Sequence, residues 1–455
     1  MTFIILILSA VLLFIWRMRH TYWPTSRLDK TVADVDSLRK LQNEHDIAFH
    51  FLGVVESDGD GQWPPKVSYD AWPAALMPYK AIWNDAVPLI SDPRNNIYGN
   101  QYGYKIKIVR DRLKMLLTTS VALSKVNETL SQATHRNVLS QRQYNGFCCC
   151  IAFLRHTYRW GTNPIITSAQ RERVIDFPDE LALPWRHIQR HFGFTSESGT
   201  VMSNFLLNIN EHGNPEHVIN QPLSQDYRLS EFNFYCMFYE MERLSVPVYH
   251  AMIHAIIQFN KGEKSLCRKH MGHLNETFDK VFDSLSGNMH NGKMLHYVWM
   301  RHIQGFHAWG TGKIENDAII TYSGLSGGHM LIIQALDAFT GLPPLFSTND
   351  LENYIPRRQR DFVSSLQRSC FRWSLGNSED DQVLKAQFQG IIKRLKRFRA
   401  THRARALPYV TVDAPERTFM TTTAASIQAE NPKSSTEDSV KEIFEFLDDR
   451  LSQTK

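Results

Sequence analysis

The chain has 455 residues, of which 43% are hydrophobic and 21% charged, the composition of a globular protein with a sizeable core. Its formal net charge of +5 is small for this length, so no nucleic acid is expected as a partner. Six cysteines without a C-x-x-C pair make a poor disulfide framework and give no zinc motif. Three of them, Cys148, Cys149 and Cys150, fall in an apolar helical pattern and are expected to be buried, reduced thiols.

The N-terminus is apolar from Phe3 to Trp16, and Arg17 and Arg19 follow directly. This run is short for a membrane span and fits the core of a signal peptide. However, no positive charge precedes it, and no convincing small-residue cleavage site follows it. The pattern therefore favours a single retained anchor at residues 1–24 over a cleaved signal, with the bulk of the chain in the cytosol, at the endoplasmic reticulum.

Helical patterns dominate the rest of the chain. Apolar residues recur at three- and four-residue spacing over 106–133, 143–160 and 180–209. Residues 231–259 are apolar nearly all round, which predicts a helix buried on every side, and Pro247 should kink or divide it. The sequence thus predicts a mainly α-helical protein.

Few other elements interrupt these helices. The best strand lies at 317–322, and it is isolated. Beyond Val410 the composition shifts to threonine, serine, alanine and glutamate, which predicts a loose polar tail. Residues 439–451 then offer one last amphipathic helix.

A glycine turn at residues 324–328, GLSGG, matches the G-x-S-x-G pattern that exposes a nucleophilic serine in α/β-hydrolases. Ser326 would be the nucleophile, with Asp361 or Asp380 and His402 as downstream partners. That fold needs strands alternating with helices on both sides of the turn, and the helical stretch upstream provides none. A serine hydrolase is therefore an alternative, and a glycine-rich connection is the preferred interpretation.

The most specific feature is a helical stripe that ends on a histidine. Steps of three and four residues connect the apolar members of the stripe with His402, and cations crowd the remaining surface. The apolar members are Leu384, Phe388, Ile391, Leu395 and Phe398. A neutral imidazole delivered to the interior suits a proximal haem ligand, and Arg399, one turn back, could meet a haem propionate. The alternative is a core histidine hydrogen-bonded to a neighbour.

Six blocks between about 180 and 410 resemble, in sequence order, the indoleamine 2,3-dioxygenase superfamily of histidine-ligated haem enzymes. Monodechloroaminopyrrolnitrin synthase is a divergent relative in that superfamily. The blocks are LPWRHIQRHFGFTSESGTVMSNFLLNIN, FNFYCMFYEME, HYVWMRHIQGF, SGLSGGHMLIIQALD, LENYIPRRQRDFVSSLQ and LKRFRATHRARALPYV. The resemblance implies a helical fold that binds haem b and its iron. It also implies O₂ and a small indole-like aromatic as substrates, and an electron donor that keeps the iron ferrous.

Carried over by position, the resemblance makes His402 the proximal iron ligand. Arg399 and Asp337 then match an arginine and an aspartate that lie close together beside the haem propionates. Phe232 matches a distal aromatic residue that stacks on the indole, and Cys236 stands where the best-known members have a distal serine.

Further positions assigned by the resemblance lie on the substrate side of the haem. Ser326 and Gly327 fall in the loop that closes over haem and substrate, so the resemblance makes Ser326 a hydrogen-bond partner rather than a nucleophile. The family's substrate arginine lies five residues before a glycine, which points to Met300, while Arg301 is one position away. If Arg301 does not take that place, a decarboxylated or cyclised aromatic should fit better than free tryptophan.

The sequence predicts four segments and one activity. The segments are an anchor at 1–24, a smaller helical domain at 25–225, a haem-binding helical domain at 226–412, and a polar tail with a short terminal helix at 413–455. The expected activity is haem-dependent oxidation of an indole or tryptophan-derived aromatic, in specialised metabolism. Ring-opening dioxygenation, mono-oxygenation and oxidative rearrangement all remain open, as does a non-catalytic haem- or ligand-binding protein.

Overall fold

The computed structural model describes residues 29–454 apart from 92–100, 133–137, 173, 311, 316–317, 322–323 and 415–435. Among the described residues, no helix combines the length and apolar character needed to cross a membrane. The anchor predicted at 1–24 lies outside this part of the chain.

The N-terminal part is helical, as the apolar periodicity predicted. Its helices are α1 (Asp29–Leu41), α2 (Asp46–Leu52), α3 (Met77–Ile90), α4 (Gln101–Ser120), α5 (Leu123–Gln132), α6 (Gln141–Trp160) and α7 (Asp179–Phe192). Shorter helical turns lie at Gly53–Asp58, Thr167–Gln170, Val201–Asn204 and Leu206–Asn208. Helix α6 is the centre of this region, since every residue from Tyr144 to Trp160 is buried. Cys148, Cys149 and Cys150 are fully buried free thiols there, which confirms the prediction.

The C-terminal part contains the longest helices. They are α8 (Gln225–Asn260), α9 (Lys264–Asn288), α10 (Leu331–Thr340), α11 (Thr348–Tyr354), α12 (Arg357–Arg368), α13 (Glu379–Val410) and α14 (Thr436–Ser452). Short helical turns lie at His296–Val298, Trp299–Ile303, Gln304–His307, Gly327–His329 and Arg372–Ser374. The predicted stripe helix and the predicted terminal helix are present as α13 and α14.

Three long helices form the frame of this part. A short connection joins α8 to α9, and the two helices pack along each other, while α9 also packs against α13. The Phe282 ring of α9 stacks on the Phe398 ring of α13, with centroids 3.7 Å apart. An ion pair between Arg394 and Asp279, 3.2 Å apart, joins the same helices.

Proline does not interrupt α8. Pro247 was predicted to kink or divide the apolar run, but α8 is continuous across it. The prediction of a division is therefore wrong. Proline removes one backbone hydrogen bond, and tertiary burial offsets that loss, since Val246, Val248 and Tyr249 are all buried.

The described strands form one antiparallel hairpin, β1 (Gly312–Glu315) and β2 (Ala318–Thr321), with Gly312 opposite Thr321. Strand β2 falls within the predicted strand, whereas β1 was not predicted. No parallel sheet occurs in the part of the chain that the structure describes.

A buried carboxylate joins α8 to the start of α10. Glu242 is fully buried, and its carboxylate accepts hydrogen bonds from Trp63 Nε1 (2.8 Å), Tyr249 OH (2.7 Å) and the Ile332 backbone N–H (3.1 Å). Burial raises the pKa of Glu242, although the donors oppose that shift. This one side chain thereby connects the N-terminal region, α8 and α10.

Replacing Glu242 by alanine should destabilise the protein strongly, because three buried donors would lose their acceptor. We expect the free energy of unfolding, from denaturant titration, to fall by at least about 3 kcal/mol. Glu240→Ala is the matched control on the same helix. Glu240 is half-buried and paired with Arg243, so its loss should cost under about 1 kcal/mol. Equal losses in the two variants would contradict this role of Glu242.

Candidate functional site

One face of α8 presents the two predicted distal residues. Phe232 and Cys236 lie one turn apart and are half-buried, whereas their neighbours Phe234 and Tyr235 are buried. Burial raises the pKa of the Cys236 thiol to about 12. At neutral pH, Cys236 is therefore a protonated, weak hydrogen-bond donor rather than a thiolate.

The predicted stripe is the buried face of α13. Leu384, Ile391 and Leu395 are at most 1% exposed, and the stripe continues to His402, which is half-buried. The His402 ring lies nearly parallel to the Phe398 ring, with centroids 6.1 Å apart and an interplanar angle of 19°. Apolar packing thus fixes the orientation of the imidazole.

The imidazole of His402 is neutral and available. Burial lowers the pKa of His402 below the usual value for histidine. No hydrogen bond joins its ring nitrogens to another described residue, unlike those of His307 and His329. The alternative of a core histidine satisfied by a neighbour is therefore not supported within the described residues. A neutral imidazole with an unused nitrogen is the form that binds a metal ion.

A buried ion cluster lies one turn before His402. Asp337, at the end of α10, is 2% exposed and accepts from Arg399 Nη2 at 2.5 Å and from Arg450 Nη2. Arg399 Nη1 donates in addition to Thr454 Oγ1 and to the Arg450 carbonyl. Burial raises the pKa of Asp337 and lowers that of Arg399, while their attraction opposes both shifts.

One contact in this cluster was predicted from the sequence, and the others were not. The proximity of Arg399 and Asp337 is as predicted. Arg450 and Thr454 were missed, because residues after 412 were interpreted as a polar tail with a short helix. The available signal was the position of Arg450 beside the apolar face of the terminal helix, which includes Phe444 and Leu447.

The glycine turn packs against α8 and begins the short helical turn before α10. Ser326 Oγ accepts from the Gly328 backbone N–H at 3.1 Å, and the Ser326 N–H donates to His329 Nδ1 at 3.0 Å. A Cβ on Gly327 would lie 3.4 Å from the Phe238 ring of α8. One on Gly328 would lie 2.8 Å from a Leu345 methyl carbon, so a larger residue there requires movement.

Ser326 is therefore a helix cap in this structure. Its hydroxyl has a local backbone partner, and the strands described form an antiparallel hairpin instead of a parallel sheet. Asp380, one of the proposed acids, pairs with Arg268 at 2.5 Å. The serine hydrolase alternative is not supported.

His329 was missed by the sequence analysis. It is 1% exposed, and its ring lies between those of Phe346 and Tyr354, with centroid distances of 4.0 and 5.0 Å. Burial lowers the pKa of His329 to about 3, so the ring is neutral. Its Nδ1 holds the Ser326 backbone, which fixes the conformation of the glycine turn.

Arg301 lies in a turn of π-helix, Trp299–Ile303. A π-turn holds one residue more than an α-turn, so counting back from Gly305 does not identify the substrate position here. Arg301 Nη2 donates to the Asp413 carbonyl at 2.9 Å, and Met300 packs against Val410. These two contacts are with the end of α13 and the residues after it.

The structure brings some of the predicted residues together and leaves others apart. Arg399 pairs with Asp337, and Gly327 approaches α8. No ring contact joins Phe232 to His402 among the described residues. Helix α10 connects the two sides, through Ile332 to Glu242 on α8 and through Asp337 to Arg399 on α13.

These features define a mainly helical protein in which a long helix with one buried face presents a neutral histidine beside a buried ion cluster. The donor set fits a haem group, which itself supplies four ligands and needs one neutral histidine. The indoleamine 2,3-dioxygenase family profile matches residues 90–443, more than three quarters of the chain, so the chain belongs to this family. No curated protein shows a significant match. The chain is a haem-dependent oxidoreductase of the dioxygenase type, and enzymes of this family use O₂ and a tryptophan-like substrate.

Asp337→Asn should destabilise the protein, because Arg399 and Arg450 would lose a shared buried counter-charge. We expect the free energy of unfolding to fall by roughly 3–5 kcal/mol, measured by denaturant titration. Asp448→Asn is the matched control, since it removes an exposed partner of Arg403 between α13 and α14. That change should cost less than about 1 kcal/mol. A loss in Asp337→Asn no larger than in the control would show that the cluster contributes little.

Proposed function

We propose that this protein is a haem-dependent oxygenase that uses O₂ to oxidise an indole or a tryptophan-derived aromatic in specialised metabolism. Ring-opening dioxygenation is the leading reaction, and mono-oxygenation or oxidative rearrangement is the alternative. The observation that carries the proposal is the neutral, unpartnered His402 on the buried face of α13, in a chain that belongs to a haem-enzyme family. An electron donor would keep the iron ferrous.

In this proposal His402 would hold the iron of haem b, which would supply the binding site for O₂, while the substrate and the electron donor would supply the electrons. The Phe398 ring fixes the plane of the imidazole, and its low pKa keeps the ligating nitrogen unprotonated at neutral pH. The ion pair between Asp337 and Arg399 holds α13 against α10. It thereby fixes the position of His402, one turn further along α13. For Arg399 to bind a propionate, one of its contacts with Arg450 or Thr454 must be exchanged.

On the other side, Phe232 is proposed to stack on the aromatic substrate. Cys236 retains its proton at Sγ and offers only a weak hydrogen bond to bound O₂ or to a substrate nitrogen. Ser326 and Gly327 are proposed to cover the substrate, because the glycine turn packs directly on α8. The absence of a β-carbon at Gly327 allows close approach of the backbone.

We also propose the organisation of the chain that the sequence suggested. The haem-binding unit would comprise 226–412, preceded by a smaller helical domain at 25–225, with α14 packed on the former. An anchor at 1–24 would hold the enzyme at the endoplasmic reticulum with its catalytic domain in the cytosol. The apolar run Phe3–Trp16 and the cations Arg17 and Arg19 support this part.

The first test is an absorption spectrum of the full chain produced with haem supplied. A Soret band that shifts with CO is expected, and His402→Ala should lose it or change it strongly. The matched control is His270→Ala, because His270 is also half-buried with a lowered pKa but lies on α9. An unchanged spectrum in His402→Ala would overturn the ligand assignment. A haem-loaded protein that consumes no O₂ with any indole would overturn the catalytic proposal.

The position of Arg301 predicts the substrate class. Since its guanidinium is engaged with the Asp413 carbonyl, a substrate carboxylate would lack that partner. Tryptamine should therefore bind at least about tenfold more tightly than tryptophan in a spectral titration, a difference of about 1.4 kcal/mol. Arg301→Ala should leave this ratio unchanged. Tighter binding of tryptophan, lost in Arg301→Ala, would instead assign Arg301 to the substrate carboxylate.

A further inference from the structure

Helix α4 is apolar on two opposite faces. Val109, Leu113 and Leu117 are at most 2% exposed and pack the helix onto the protein beside α3 and α6. Tyr104, Ile108 and Met115 are 71%, 48% and 43% exposed. A surface helix of a globular protein normally presents polar residues opposite its buried stripe. The fold therefore explains the first face and leaves the second without a function.

The exposed apolar residues share one side of α4, with the exposed Asp111 between Ile108 and Met115. Ile108 lies one turn after Tyr104, and Met115 lies two turns after Ile108, so they share one side of the helix. From Tyr104 to Met115 the stripe extends about 16 Å along the axis. Isolated apolar side chains on a surface are common, but a stripe of this length opposite the buried face marks an interaction surface.

Cations border this stripe on both sides. Lys107 and Lys114 are exposed on one side, and Arg112 is exposed on the other, next to the half-buried Lys105. The guanidinium Nη1 of Arg112 lies 3.9 Å from the sulfur of Met115. Asp111 is the acid within the exposed face, and Lys107 pairs with it. The exposed face of α4 therefore carries three apolar side chains and the Lys107–Asp111 ion pair along its centre, and further cations along its edges.

We propose that α4 lies on the surface of a membrane that contains anionic lipids, with Tyr104, Ile108 and Met115 inserted at the level of the headgroups. An interfacial helix combines an apolar stripe with flanking lysines and arginines in this way. Long cationic side chains keep their charge at the headgroups while their stems cover apolar surface, and tyrosine suits the same interface.

The charge pattern favours a lipid surface over a second copy of this chain. In a two-fold contact the same patch of each copy is used, so Lys107, Arg112 and Lys114 would approach the cations of the second copy. Like charges facing each other oppose such a contact, whereas anionic headgroups complement them. The surface is independent of the predicted anchor and of the haem site.

The test uses the full chain carrying Leu8→Glu and Leu12→Glu, which place negative charges in the apolar N-terminal run so that α4 is observed separately. Flotation is measured with vesicles of phosphatidylcholine containing about 30 mol% phosphatidylserine, and with pure phosphatidylcholine. This chain should bind the anionic vesicles, bind the neutral ones at least roughly tenfold more weakly, and lose binding at high salt.

Two sets of variants identify the surface. Replacing Tyr104, Ile108 and Met115 by glutamine should weaken binding by at least about tenfold. Replacing Lys107 and Lys114 by glutamine should weaken it by roughly fivefold per cation. The matched control replaces Phe49, Leu266 and Trp373 by glutamine. These residues are 59%, 45% and 71% exposed on other helices and turns, and this variant should bind like the parent.

Two results would overturn the proposal. The first is equal binding of the α4 variant and the control variant, or no binding of the parent to anionic vesicles. The second is a change of oligomeric state in the α4 variant, by analytical ultracentrifugation, with unchanged vesicle binding; that result would assign the stripe to a contact between copies of the chain. The circular dichroism spectrum of each variant must match that of the parent.

Discussion

Buried carboxylates fix both ends of α10, and the geometry of the candidate site depends on this constraint. At the start of the helix Glu242 accepts the Ile332 N–H, and near its end Asp337 accepts from Arg399 and Arg450. Glu242 belongs to α8, whereas Asp337 belongs to α10 and pairs with Arg399 of α13. Because breaking such a buried pair leaves an uncompensated charge, α8 and α13 cannot shift independently of each other without a large loss of free energy. The short helix α10 thereby sets the positions of Phe232 and Cys236 on α8 relative to His402 on α13.

The sequence predicted those parts of this arrangement that depend on local periodicity. The stripe from Leu384 to His402 requires only one helix, and the buried thiols at Cys148–Cys150 follow from the apolar character of α6. The contact between Arg399 and Asp337, 62 positions apart, came only from the family resemblance. Arg450 and Thr454 close the same cluster but lie beyond the matched residues 90–443, so the resemblance did not indicate them.

Two further differences have the same kind of cause. Pro247 carries a strong local preference against helix interiors, yet burial of its neighbours maintains α8 across it. The π-turn at Trp299–Ile303 inserts a residue into one turn, which changes the spacing by which Arg301 was compared with Gly305. In both places tertiary packing decided the conformation, and a single sequence does not contain the partner elements that determine it.

The chemistry of the candidate site and the exposed face of α4 point to the same kind of substrate. Burial keeps the His402 imidazole neutral and the Cys236 thiol protonated, so these groups bring no charge to the site. Arg301, which would recognise a carboxylate, is bound to a backbone carbonyl instead. The proposed substrate, an aromatic without a carboxylate, suits such surroundings, because a carboxylate would lose its hydration without gaining a partner. Loss of the carboxylate also removes the charge that an anionic lipid surface repels, so an enzyme held there by α4 would encounter such a substrate at the membrane.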